Sequence, residues 1–302
     1  MYCKKGNNFQ EESMNKKYKG IFFIIISAFC FALMNVFVRG AGDLPFIQKS
    51  FFRNFVAAIF AAVILIKDRM WFSGIKGNMK YLILRSVFGA IGMLCNFYAI
   101  DRLLLADASM LNKMSPFFAI IFSYFILKEK VKPVQAAAVG AAFIGSLFII
   151  KPTFVNMDLF PSIIGLMGGL GAGAAYTMVR LLGEKGEKGP FIVFFFSAFT
   201  CVITLPYLIL QYHPMSAWQL ASLLLAGTAA AGGQFSITAA YFYAPAREIS
   251  VYDYSQIVFS AVMGWMFFGQ LPDRYSCVGY VVIVGAAVLM FLYNNRKEKV
   301  AE

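Results

Sequence analysis

The stretch 106–127, ADASMLNKMSPFFAIIFSYFIL, places Ser109, Asn112, Lys113 and Pro116 three or four residues apart in a largely apolar run. On a helix these positions share one face. A hydroxyl, an amide and an ammonium on one face can hold the acidic end of a solute. A related set lies 141 residues later, with Ser250, Asp253, Tyr254 and Ile257. Lys113 and Asp253 then have two readings. They hold opposite ends of a solute, or they form a buried ion pair that only fixes packing. Asp253 and Asp107 are also candidates to carry a coupling proton. Further polar faces run through other apolar segments: Lys49 with Arg53; Arg85, Gly89, Gly92 and Asn96; and Gln234, Thr238 and Tyr241. Arg53 is deeper, and either faces a cavity or bonds helix-end carbonyls as a structural residue. Lys49 and Arg85 lie nearer segment ends and are expected to snorkel to the interface. Asp107 reads as a helix cap or part of an outer gate.

These residues need apolar elements to position them, and the composition supplies them. Of 302 residues, 60% are hydrophobic and 14% charged, with a mean hydropathy of +0.69. A soluble domain carries about 25% charged residues, so the chain reads as a membrane protein. A charge near the centre of a spanning helix costs at least about 2.5–3.5 kcal/mol, and such residues turn toward the protein interior.

A span needs about 20 mostly apolar residues. Ten candidates run roughly over 19–38, 46–66, 79–99, 104–127, 134–151, 161–182, 190–210, 217–242, 247–268 and 276–293. The first apolar run is too long for a signal peptide and reads as a permanent span. Most loop Lys and Arg fall on one side, among them Lys67, Arg69, Lys128, Lys130 and Lys185, with Arg39, Arg102, Lys151 and Arg274 opposite. That bias puts both termini in the cytoplasm of a cell-membrane protein. The net charge of +12 is then largely topology signal, and no nucleic-acid partner is expected. Cys3, Cys30, Cys95, Cys201 and Cys277 lack metal-ligand spacing, and His213 reads as an exposed loop residue.

The 141-residue shift relates more than one pair of segments. It lays FVRGAG (37–42) on MVRLLG (178–183), GAIG (89–92) on AAGG (230–233), and FSYFILKE (122–129) on MGWMFFGQ (263–270), so Glu129 meets Gln270. Each half then holds five spans, 19–151 and 161–293, between short tails at 1–18 and 294–302. Five is odd, so the second half is inverted. Inverted repeats with polar groups near the midplane characterise secondary transporters. Gly165, Gly169 and Gly173 form GxxxGxxxG, which lets helix backbones approach closely.

FFRNFVAA (51–58), FYAIDRLLLADASMLNKMSPFFAIIFSYFILKEKV (97–131) and AYFYAPAREISVYDYSQIVFSAVMGWMFFGQLPD (240–273) resemble the EamA family of the drug/metabolite transporter superfamily. Arg53, Pro116 and Glu129 match residues usual in that family. Gln270 stands where the second copy usually has Glu, and Ile257 where it often has Pro or a small residue. The resemblance implies an all-α polytopic membrane protein of ten helices in two inverted repeats. It further implies a carrier of small metabolites, often an exporter of amino acids or related compounds.

The classes in competition are a secondary transporter, a polytopic membrane enzyme and a membrane scaffold. No HExxH, Walker A loop or metal-ligand cluster occurs, so neither catalysis nor a cofactor is expected. The expected partners are the lipid bilayer and a small-molecule substrate, zwitterionic or anionic. Its expected site is Lys113, Asp253, Arg53, Asn112, Ser109, Tyr254, Asn96 and Gln234. A cavity shared by Lys49, Arg53, Lys113 and Asp253 would carry about two positive charges, which disfavours cationic solutes.

Overall fold

In a computed structural model, residues 2–69, 74–126, 128, 133–150, 159–244, 249 and 252–300 are described. Glu129, Lys130, Lys151 and Ser250, all weighed above, lie outside these residues. The described residues form helices and connections, without a strand. The helices are α1 (Tyr2–Gly40), α2 (Phe46–Lys67), α3 (Met79–Arg102), α4 (Leu105–Asn112), α5 (Ser115–Ile126), α6 (Pro133–Ile150), α7 (Leu159–Glu184), α8 (Gly189–Leu210), α9 (Ala217–Tyr243), α10 (Ser255–Phe268) and α11 (Arg274–Val300). Six are long and apolar enough to cross a membrane: α1 over Tyr18–Gly40, α2, α3, α7, α8 and α9. The chain is a multi-pass membrane protein. Many large apolar side chains face outward, such as Phe22, Ile66, Val202 and Val281, as lipid contact requires.

Helix pairing follows the sequence repeat. α1 packs on α9 and α3 on α7, while α2 packs on α8 and α6 on α11. The first two pairings exchange under the 141-residue shift, and the last two map onto themselves. Arg39 donates from Nη1 to the carbonyl of Ile100 at 3.2 Å, and Arg180 to that of Tyr241 at 3.5 Å. The same shift relates these two bonds residue for residue.

The segment expected as one span over 104–127 is two helices. α4 ends at Asn112 and α5 begins at Ser115. Pro116 lacks a backbone N–H and disfavours helical geometry in the residue before it, so it suits the first turn of a helix and not its interior. At the break, Met114 N–H bonds the Leu111 carbonyl at 3.2 Å in a turn tighter than α. The glycine face of α7 seats on this break. A Cβ on Gly169 would lie 2.6 Å from the Leu111 carbonyl oxygen, and one on Gly173 2.6 Å from that of Ser115. The neighbouring face of α7 meets α3 just as closely, with a Cβ on Gly171 falling 2.8 Å from Gly92 Cα. The later polar segment is broken at the equivalent place: Tyr252 and Asp253 are helical, the chain turns at Tyr254, and α10 starts at Ser255.

The two broken segments lie side by side and antiparallel. Leu105 N–H donates to Gln270 Oε1 at 3.1 Å, Ser109 Oγ donates to Ser260 Oγ at 2.8 Å, and Phe117 meets the Tyr254 ring edge-on at 6.3 Å.

Candidate functional site

Lys113 sits at the C-terminal end of α4, and Asp253 lies just before the N-terminal end of α10. Their side chains pair at 2.7 Å, with 1% and 0% exposure. Each charge has the sign its helix end favours, positive at a C-terminus and negative at an N-terminus. The pair therefore joins two helix breaks that come from different halves of the chain.

Beside this pair lies a cavity of about 70 Å³, below the ~300–1,000 Å³ usual for small-molecule sites. Arg53 of α2, Arg85, Asn96 and Met93 of α3, Asn112 and Lys113 of the break, Tyr176 of α7, Phe196 of α8, and Gln234 of α9 line it, along with Asn35 of α1 and Gln256 of α10. Its walls thus come from both halves. No carboxylate is among the described lining residues.

Arg53 and Arg85 are each 2% exposed. The Arg85 guanidinium lies 3.8 Å from the centre of the Phe196 ring and that of Arg53 lies 5.8 Å from it, a cation–π arrangement. Gly89 makes room for this stack. A Cβ there would fall 2.9 Å from the Phe196 ring and 3.0 Å from Arg85 Nη1. Arg53 donates to Asn54 Oδ1 at 2.7 Å, and Asn54 is itself fixed by donating to the Ser50 carbonyl at 2.8 Å. Arg53 Nε and Arg85 Nε and Nη1 are buried without a hydrogen-bond partner among the described residues. Tyr176 stacks on Tyr241 at 5.2 Å.

The residues expected from sequence divide into two groups. Lys113, Arg53, Asn112, Asn96 and Gln234 line the cavity. Asp253, Ser109 and Tyr254 do not. Asp253 is one ion pair behind the wall, Ser109 bonds Asn35 and Ser260, and Tyr254 packs on Phe117. Asp107 lies in the first turn of α4, where the N-cap is Leu104. Its carboxylate accepts from Tyr280 of α11 at 2.6 Å, away from the cavity. Lys49 does not share the cavity and does not snorkel. It is 0% exposed and pairs with Asp101 at 2.6 Å. Arg85, expected to snorkel, turns inward. Tyr176, Phe196, Asn35 and Gln256 line the cavity without having been singled out. Arg85 carried a signal in Gly89, one turn on, which opens the space that its side chain and Phe196 fill.

Comparison with known proteins bears on this arrangement. The model for the EamA-like transporter family matches twice, at residues 18–151 and 159–292. A pseudopaline exporter, CntI, of Pseudomonas aeruginosa is 30% identical over 90% of this chain and 95% of its own length. Solute carrier family 35 member G1 of Homo sapiens is 27% identical over 92% of this chain and 81% of its own. An S-adenosylmethionine uptake transporter of Rickettsia prowazekii is 22% identical over 95% of this chain and 96% of its own. A solved crystal structure superposes on 91% of the chain and 98% of its own with a TM-score of 0.69 at 13% identity, a likeness of fold alone.

Proposed function

The chain belongs to the EamA-like transporter family, and from that premise we propose that it is a secondary transporter moving a small zwitterionic or anionic metabolite out of the cell by alternating access. The reading takes 19–151 and 161–293 as inverted five-helix repeats, ten spans in all. The broken segment α4–α5 counts as the fourth span and the segment ending in α10 as the ninth. Support for the inversion comes from these two repeat-equivalent segments running antiparallel where they touch. Helix breaks near the midplane between repeats are where such carriers bind solute.

One observation carries the choice of solute: Arg53, Arg85 and Lys113 line a buried cavity that has no described carboxylate. Guanidinium groups bind carboxylate and phosphate through paired N–H donors. An amino acid or derivative fits this chemistry if its acidic group meets the arginines. Asp253, paired with Lys113, is the candidate for the amino group or a coupling proton once the pair opens. Export is preferred because the relative at 30% identity is named an exporter.

Flux of labelled amino acids and organic acids in proteoliposomes tests the reading. Saturable flux of an acidic or zwitterionic solute, absent from empty vesicles, is expected. Turnover of a solute into product without flux would reject it in favour of an enzyme. In the proposed orientation both termini are cytoplasmic, in the cell membrane. On a background without native cysteines, single cysteines at positions 151 and 213 should label from outside intact cells. Labelling only after permeabilisation would reverse the orientation.

A further inference from the structure

The buried charges sort into neutral pairs and an excess. Lys113 is neutralised by Asp253 and Lys49 by Asp101. Arg53 and Arg85 have no carboxylate partner among the described residues. Both lie against the same Phe196 ring. Their free N–H donors are buried at the cavity wall. Two positive charges thus share one low-dielectric space with nothing on the wall to offset them. A zwitterion brings no net charge and would leave that excess in place. A monoanion would halve it.

We propose that the cavity takes a doubly charged anion, a dicarboxylate or a phosphate monoester, with its acidic groups on Arg53 and Arg85. The inference rests on the transporter reading and narrows its solute class. Phe196 lies against both guanidinium groups, Asn54 accepts from Arg53, and Gly89 leaves room for Arg85. The ligand's second feature is polar and uncharged, because Asn96 and Gln234 also line the cavity and offer amides that donate or accept.

A charge series on one skeleton tests this on purified protein, with binding read by calorimetry. Succinate, succinamate and succinamide have similar shapes and carry two, one and no negative charges. Succinate is expected to bind tenfold or more tighter than succinamate, and succinamate tighter than succinamide. Glycerol 3-phosphate serves as the phosphate arm, and whichever dianion binds tighter identifies the source. Equal binding across the series, or binding by neither dianion, overturns the proposal. Arg85→Lys keeps the charge but removes the paired donors, and should weaken the tighter dianion at least tenfold. Unchanged affinity in that variant also overturns it. The wild-type series needs no variant to fold. If proteoliposomes transport alanine but no dianion, this inference fails while the transporter reading stands. If they transport nothing, the transporter reading fails.

Discussion

Lys49 and Arg53 are one turn apart on α2, four residues along the same helix, yet they end in different surroundings. Lys49 closes on Asp101 of α3 and is sealed off from the cavity. Arg53 is just as buried but meets an amide and an aromatic ring, with one nitrogen left over. The first arrangement is complete without a ligand and the second is not. In this molecule, depth in the membrane does not separate a paired charge from one left to face the cavity. The presence of a partner does.

The strongest way to break that distinction is at Lys113, which is paired and also lines the cavity. Lys113→Ala would strand Asp253 in the interior, and losing one partner of a buried pair costs about 3–5 kcal/mol. Thermal unfolding in detergent should show the loss, and flux should vanish. Lys113→Ala with Asp253→Ala should recover most of the stability without restoring flux. Normal flux in the double variant would reduce the pair to a packing bridge.

Close behind comes the seat beneath that pair. Gly169→Val places a side chain 2.6 Å from a backbone oxygen, and such overpacking costs about 1–3 kcal/mol. A lower unfolding temperature and slower flux should follow. An unchanged protein would mean that α7 is not pressed against the break.

Lys49→Met tests the complete pair away from the cavity. Asp101 keeps 20% of its side chain exposed, so water can partly replace the lysine. A loss of about 1–2 kcal/mol is expected, below that at Lys113, with dianion affinity unchanged. A tenfold drop in affinity would erase the contrast with Arg53.

The smallest change in stability should come from Arg53→Met. Removing an unpaired buried cation relieves desolvation while losing little bonding, so stability should stay within about 1 kcal/mol. Binding should nonetheless collapse. A large loss of stability would assign Arg53 a structural partner and remove it from the site.

Sequence periodicity was enough for the apolar helices, the repeat and the shared face of Asn112 and Lys113. The 141-residue shift reappears in space in the matching bonds of Arg39 and Arg180. Three features were not legible. Proline at 116 was read as one more position on a polar face, although a proline three residues after Lys113 also signals a new helix. Arg85 was placed by its distance from the helix end, but a long side chain can point either way, and Phe196, which draws it inward, is 111 residues distant. Asp101 was not weighed as a partner for Lys49, because the crossing of α2 and α3 that joins them has no local signature. Helix faces are set by neighbours in sequence, whereas charge neutralisation is set by neighbours in space.

The Lys49–Asp101 pair has no counterpart in the second half. The 141-residue shift puts Pro190 and Phe242 at the equivalent positions. A carrier built from two matching halves has two closed-end conformers that would be equally populated if the halves were identical. Every unmatched contact tips that balance, at tenfold per about 1.4 kcal/mol. On the alternating-access reading proposed above, an ion pair at one end only would favour the conformer closed at that end. Losing Lys49 would then move the resting occupancy toward the opposite conformer, although no residue lining the cavity has changed.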